Sequence, residues 1–370
     1  MIRAAGVTGL QHFVLAVSRR APLSLPAMAW VDDPRFGSDD ASGTTDAAAD
    51  GDAAGGRNRA FAVRIIRNPR SHGNAALAPL DVPPGVEVIE PSRRGDTARA
   101  LAHCREAGTD CLVIDGGDGT VRDVLTAGLA IFGDDWPVIG VLPRGKTNAL
   151  AFDLGIPAEW TWREIAEHAR QGRTTQRCPL VLAPQDAGGP AVAGFLVGAG
   201  SFAAGVEAAQ DAHRIGMFGG LAVGATVAWA VAQTLLGGPR NRWRRGQAMD
   251  IALLPGGAPL PHRGGGDPGR RSLLLATTLR RLPLGLKPWG EPRDGLKLLV
   301  VDRARRSVFA AAPLIVAGRA PGWLERRGLH RVEAEGVRVS FAERFILDGE
   351  FLQPGAWRIE QGRPLRFVTP

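Results

Sequence analysis

The stretch CLVIDGGDGTVRDVLTAGL, from Cys111 to Leu129, leaves a chain few ways to fold. Cys111, Leu112, Val113 and Ile114 form the apolar run of a buried strand. Gly116, Gly117 and Gly119 then interrupt any regular structure, and a helical pattern begins at Val121. The result is a strand, a glycine turn and a helix. Glycines let backbone N–H groups approach an anion closely, and the following helix adds its positive N-terminal end, so the unit suits a phosphate. Asp118, set among these glycines, can face a phosphate only across a cation, which makes it a candidate magnesium contact or proton acceptor. A capping Asp in a tight turn would explain the motif equally well if it stood alone.

It does not stand alone. FAVRIIRNP, from Phe61, reads as a strand that ends at Asn68-Pro69. The pattern then predicts a helical stretch near Asn74 to Leu80, a strand at Val86 to Ile89, a helix at Asp96 to Ala107 and a helix from Val121 to Phe132. A strand at Val138 to Leu142 follows, stopped by Pro143. Such alternation gives a mostly parallel sheet with helices on both faces. Ligands bind at the carboxyl ends of such strands, and the loops Asn68 to Gly73, Gly116 to Thr120 and Pro143 to Asn148 all fall on that edge. Beyond Arg177 the texture changes to apolar runs: Leu180 to Ala183, Val192 to Val197, Met249 to Leu254, Ser272 to Leu279, Leu296 to Val301 and Val332 to Val339. These predict an antiparallel β-rich region with a helical insertion from Ala203 to Leu236 and closing hairpins, one turning at Asp348-Gly349.

At 370 residues there is chain enough for two domains, expected at 59–177 and 178–370. Residues 1–58 are poor in large apolar side chains from Asp32 onward and are expected to be a disordered, dispensable leader without a secretory signal. Cys104, Cys111 and Cys178 lack metal spacing, which favours a reducing compartment and core roles. Residues 1–58 hold five Arg and seven Asp, which leaves 40 basic against 30 acidic groups in the remainder. A basic body suggests an anionic partner, though coding bias toward Arg explains it as well. No nucleic-acid module is recognisable, and the basic residues are scattered. Gly216 to Gly238 carries no charge, but its six glycines and few large aliphatics fit a buried or cleft-lining helix better than a membrane span. The basic run Arg240, Arg242, Trp243, Arg244 and Arg245 is compatible with interfacial attachment.

Pro143-Arg144-Gly145-Lys146-Thr147-Asn148 adds a glycine turn, a cation, a hydroxyl and an amide before another helix. Thr147 or Asn148 could be a cap, but Gly-Lys-Thr-Asn at this distance after GGDGT needs more than capping. From these loops the chain resembles the diacylglycerol kinase-like lipid kinases, which include sphingosine and ceramide kinases and bacterial relatives. The resemblance runs through Asn68-Pro69-Arg70-Ser71, the Gly116 to Thr120 loop with Asp123-Val124, Pro143 to Asn148 leading to Leu154-Gly155-Ile156-Pro157, Asp294-Gly295 and Asp348-Gly349-Glu350. It spans about residues 60–370 in order. The resemblance implies an N-terminal Rossmann-like α/β domain of the NAD kinase and phosphofructokinase type. It also implies a C-terminal antiparallel β-sandwich domain forming the lipid pocket, ATP with Mg²⁺ in the cleft, and a C-terminal segment that returns to that cleft.

On that resemblance Gly116, Gly117, Gly119 and Thr120 cradle the ATP phosphates and Asp118 holds magnesium, while Asn68, Ser71, Gly145, Lys146, Thr147 and Asn148 complete the nucleotide site. Glu350, with Asp118 as the other candidate, orients or deprotonates the acceptor hydroxyl; Asp348 orders it or pairs with a cation. An ordinary Asp-Gly turn explains Asp348 and Gly349 but not Glu350. Asp294 matches a loop where a structural cation can sit. The chain departs from the family pattern at His72-Gly73, where Gly-Lys is usual, so Arg70 or Lys146 must replace a missing base. It departs also at Lys146, Asp123, Ala149 and Ala203, with Glu207 one helical turn beyond. The expected activity is phosphorylation of diacylglycerol, a monoacylglycerol or a ceramide-like base, in the cytoplasm or at the inner face of the membrane, with anionic lipid contact and a homodimer as partners. An NAD or sugar kinase, supported by GGDGT alone, and a degenerate lipid- or nucleotide-binding protein are the competing readings.

Overall fold

β-branched and aliphatic runs bounded by glycine and proline decide where strands form, and which of them carry polar residues decides which sheets face water. A computed structural model describes residues 60–186, 188–214, 245–303 and 305–370. Strands β1 (Val63–Arg67), β2 (Val86–Ile89), β3 (Cys111–Gly116) and β4 (Val138–Pro143) pair in parallel, in the order β2-β1-β3-β4. β3 is buried at all six positions, as expected of a central strand covered on both faces. The last strand of the chain, Leu365–Val368, lies parallel beside β4, and β5 (Thr174–Arg177) closes the edge antiparallel. Helix α1 (Arg94–Glu106) and helix α2 (Asp118–Phe132) pack together, α3 (Ala149–Leu154) follows β4, and α4 (Trp162–Arg170) lies against β3 and β4. Val121, Val124, Leu125, Gly128 and Phe132 are the buried stripe of α2, at helical spacing.

Two antiparallel sheets form the remainder of the fold. One holds, in order, Ala258–Pro259, Gln247–Leu254, Gly336–Phe341, Gly355–Gln361, Leu180–Pro184 and Val192–Gly194, with Arg270–Arg271 as a side pairing. The other runs Leu329–Ala334, Leu296–Val301, Leu273–Thr277, Leu196–Gly200, Phe345–Leu347 and Glu350–Leu352. Leu180, Leu182, Ile251 and Val339 of the first share one apolar cluster with Val197, Leu274, Leu298 and Phe345 of the second. The chain changes sheet at Phe195, so the run expected as one strand from Val192 to Val197 is two, and Val332 to Val339 likewise breaks before Gly336.

Two local expectations change. Asn74 to Leu80 is a series of turns, in which Asn74 and Ala75 donate backbone N–H groups to the Ser71 carbonyl and Leu77 to that of Asn74. Pro79 ends it and the Asn74 side chain bonds elsewhere, so no helix propagates. Helix α2 begins at Asp118, three residues early, because the Gly117 carbonyl accepts from Thr120 and Val121 and the glycine loop becomes the first turn. The expected insertion shows helix α5 (Ser201–Arg214); Ile215 to Leu236, like the uncharged Gly216 to Gly238 stretch, lies outside the described residues, as do the leader and Arg240 to Arg244. Among the described residues no helix is long and apolar enough to cross a membrane.

One buried carboxylate fastens the second half. Asp302, 2% exposed, accepts from the backbone N–H of Arg263 (2.7 Å) and Gly264 (2.9 Å), lies 2.9 Å from His330 Nε2 and pairs with the Arg271 guanidinium. Replacing it strands a buried arginine. Asp302→Ala should lower unfolding free energy by about 3 kcal/mol or more, measured by urea denaturation, against less than about 1 kcal/mol for the same change at exposed Asp267.

Candidate active site

The loops after β1, β3 and β4 meet at one sheet edge and are joined atom to atom. Asn68 Nδ2 donates to Thr120 Oγ1 (2.9 Å), Gly73 N to the Arg144 carbonyl (2.8 Å), and Arg144 N to the Gly116 carbonyl (3.0 Å). Asn148 folds back in the left-handed region (φ 51°), where Asn is tolerated, so that its side chain both accepts from Gly145 N (2.7 Å) and donates to the Gly145 carbonyl (2.9 Å). The glycine loops pack backbone on backbone. A Cβ on Gly117 would come 2.6 Å from the Gly145 Cα, which is closer than real Cβ contacts come, so both positions require glycine.

Asp115 lies beneath these loops, 1% exposed, its carboxylate 3.3 Å from Arg67 Nε and 3.4 Å from Arg144 Nε. Burial raises its carboxyl above the ordinary range, and the two guanidiniums act against that rise. Arg67 reaches on to Glu90 (3.3 Å) and the Ala78 carbonyl (3.0 Å). Asn74 Nδ2 bonds the carbonyls of Asn68 (3.0 Å) and Asp115 (3.2 Å). Arg144 is therefore committed below the loop and does not stand in for the base missing after Ser71.

Three carboxylates converge on this edge. Asp118 Oδ1 accepts the N–H of Ala149 (2.8 Å), which ties the first turn of α2 to that of α3; burial raises its carboxyl above the ordinary range. Asp348 sits in the Asp-Gly hairpin turn with φ 46°, and its carboxylate accepts from the backbone N–H of Leu196 (2.8 Å) and Phe195 (3.0 Å). Its carboxyl is pushed up to about 7 by burial, with the nearby Asp118 carboxylate adding to the rise. Glu350, half-buried, pairs through Oε2 with Arg122 at 2.5 Å, and Arg122 also holds Asp123 at 2.7 Å. Thr126 of α2 exchanges hydrogen bonds with Ala193 (3.0 and 3.3 Å), which seats the helix against the strand leading to Phe195. Two mutually repelling, partly desolvated carboxylates are a fit for a divalent cation. Magnesium is usually held by one or two carboxylates plus substrate phosphates, and among the described residues no group of three or more His, Cys, Asp or Glu side chains offers a metal cage.

Asn68, Gly116, Gly117, Thr120, Gly145 and Asn148 thus lie together at one sheet edge, and Gly119 faces open space. Lys146 and Thr147 are exposed and Ser71 is half-buried at the rim. Asp294 is a different case. It pairs with Arg280, which holds its carboxyl below the usual range, while Lys297 Nζ donates to the carbonyls of Arg293 (2.9 Å) and Gly295 (3.0 Å) in the same loop. Among the described residues the cations at that loop are Arg280, which pairs with Asp294, and Lys297, which meets two backbone carbonyls. Beside Asn68 and Thr120 opens a cavity of about 320 Å³ lined by Arg70, Glu90, Arg93, Thr97 and Asp123, of a size for a nucleoside. Arg122, Arg93 and Thr97 were not legible as site residues, because α1 and α2 bring them there only by packing.

Residues 64–177 match the diacylglycerol kinase catalytic domain. Over 64 residues the chain is 42% identical to Probable lipid kinase YegS of Shigella flexneri and, equally, to that of Escherichia coli O1:K1; the match takes in 17% of this chain and 21% of either relative, so the chain spans about a fifth of the curated relatives it matches. A diacylglycerol kinase structure from Bacillus anthracis str. Sterne superposes with a TM-score of 0.53 at 15% identity, covering 84% of this chain and 97% of that one. A second chain from that organism gives 0.56 at 16% identity with the same coverage. At such identities the likeness concerns the fold. The match to the diacylglycerol kinase catalytic domain thus lies in residues 64–177, the segment that carries the loops after β1, β3 and β4.

Proposed function

We propose that this protein is an ATP-dependent lipid kinase that transfers the γ-phosphoryl group to a hydroxyl of diacylglycerol or a related lipid such as a monoacylglycerol or ceramide-like base. The observation that carries the reading is the convergence of Asp118, Asp348 and the Arg122-held Glu350 on one edge of a glycine cradle whose sequence matches the diacylglycerol kinase catalytic domain. Phosphoryl transfer asks mainly for positioning and charge neutralisation, and each residue serves one of these. Gly117, Gly119 and Gly145 present backbone to the phosphates at a distance that side chains would prevent. Asn68, held by Thr120, and Asn148, held by Gly145, fix the cradle walls. The cavity between Arg93 and Asn68 takes the nucleoside. Mg²⁺, when bound, would lie at Asp118 and Asp348 and neutralise phosphate charge. Arg122 fixes the Glu350 carboxylate at 2.5 Å, and that carboxylate would orient the acceptor hydroxyl. Exposed Lys146 and Arg70 supply the charge that the departure after Ser71 removes.

The test is transfer from γ-labelled ATP to a panel of detergent-dispersed lipids. Asp118→Asn should reduce kcat by roughly 10²-fold or more, and Glu350→Gln by about 10²-fold with the KM for ATP unchanged. Labelling of NAD or a sugar in place of every lipid would overturn the assignment of the acceptor. Gly117→Ala should raise the KM for ATP by about tenfold or more, because the two loops must part. Asp348 gives a pH signature. Its folded carboxyl is raised to about 7 from 3.8, so between these values the folded state holds a proton that the unfolded chain releases. That contribution is complete below about pH 4 and lost as pH rises through 7. The unfolding temperature should therefore fall from pH 5 to pH 8, less steeply in Asp348→Asn, and added Mg²⁺ should restore part of it at pH 8 in the native protein alone.

A further inference from the structure

Six large apolar side chains are exposed among the described residues, and five of them gather in one place. Leu284 (91% exposed) and Leu286 stand on the loop from Leu279 to Arg293. Phe152, on α3, and Leu286 line one shallow cavity of about 260 Å³, the turn of Leu284 packs against α3, and Val316, two residues after Leu314, adjoins through the hydrogen bond from Lys287 N to its carbonyl (2.7 Å). Leu284 is held in the left-handed region at φ 62°, unusual for a leucine, at the tip of a single turn spanning Pro283–Gly285. The surround is basic: from Leu279 to Arg293 the loop carries Arg280, Arg281, Lys287 and Arg293 against Glu291 alone. The ion pairs these make, Arg280 with Asp294, Lys287 with Glu291 and Arg293 with Glu333, are at the surface, where they are weak and exchangeable.

We propose that this leucine-tipped, basic-ringed loop, with Phe152, docks the protein on the surface of an anionic lipid bilayer. A protruding aliphatic tip within a ring of cations suits insertion at the headgroup boundary. The shallow cavity beneath it is too small to bury a partner's helix, and the loop's own tryptophan, Trp289, is buried, so the large aromatic anchor common at protein interfaces is missing from the tip. The loop is fastened to the catalytic edge. Arg281 N donates to Asp153 Oδ1 (2.6 Å) on α3, the helix whose first N–H holds Asp118, and Asp153 is itself fixed by Arg177 (2.6 Å). Docking there would set the cradle at the lipid surface from which the acceptor is drawn, and in that respect the inference rests on the lipid kinase reading.

Sedimentation of the full chain with vesicles of phosphatidylcholine, with and without phosphatidylglycerol and without nucleotide, tests it. The native protein should bind the anionic vesicles and lose binding as salt rises. Leu284→Asp should weaken that binding by about tenfold or more, while Leu77→Asp, at the sixth exposed apolar side chain, should not change it. Phosphorylation of detergent-dispersed lipid should be the same for native and Leu284→Asp. Undiminished vesicle binding by Leu284→Asp overturns the proposal, as does a variant effect confined to self-association in light scattering. Absence of vesicle binding with kinase activity intact would remove the docking site alone; vesicle binding without phosphorylation of any lipid would remove the kinase reading alone.

Discussion

The backbone contact between Gly117 and Gly145 is the constraint on which the site depends. Two loops that follow adjacent parallel strands approach until neither can carry a side chain, and everything nearby is arranged to hold that approach. Asp118 bonds across to Ala149, Asn148 closes its own loop on Gly145, and Gly73 and Gly116 bond Arg144 from either side. Asp115 lies underneath, between Arg67 and Arg144. A carboxylate this deep is costly to charge, and its two guanidiniums and the Asn74 amide on its carbonyl spread that cost over three loops. The loops are thus held by contacts within the protein itself, which is the condition for backbone dipoles to act without reorganising.

The second half of the chain reaches the same sheet edge because it comes back. Its last strand enters the parallel sheet beside β4, and Phe367 and Val368 join the core there with Ala193 and Phe195. The hairpin before it puts Asp348 against the amides of Phe195 and Leu196 and sends Glu350 to Arg122 of α2. An acidic turn that would be unremarkable at a surface becomes part of a charged cluster, since the strand crossing at Phe195 supplies two N–H donors to Asp348. The same economy of cations appears at Asp294, where Arg280 and Lys297 satisfy the loop.

Much of this was legible. Glycines at 117 and 145 marked the cradle because only glycine permits such an approach, and the loops of Asn68, Thr120 and Asn148 followed from their places after predicted strands, while the roles of those residues came from the family resemblance. The Asp348-Gly349 turn was readable because left-handed φ values select those residues. Arg122 was not, since an arginine on a helix next to an aspartate looks like a solvated face until Glu350 arrives from 228 positions later in the chain. The helix expected after Asn74 failed for a related reason: the pattern recorded turn propensity but not that the Asn74 amide is spent on two carbonyls beneath the neighbouring loop.

What the sequence by itself determined is local: strand and helix periods, the positions where backbone must pass close to backbone, and the order of the loops along the sheet edge. These follow from the dihedral limits of glycine, proline and asparagine and from apolar spacing, which act over a few residues. Tertiary structure alone decided which charges are partners. Arg67 with Asp115, Arg177 with Asp153, Arg271 with Asp302 and Arg122 with Glu350 are long-range choices, made because each buried charge must find a counter-charge wherever packing brings one. It decided likewise that Leu284 and Phe152, 132 positions apart, share one exposed patch, because nothing in a chain's order states what the folded core leaves uncovered.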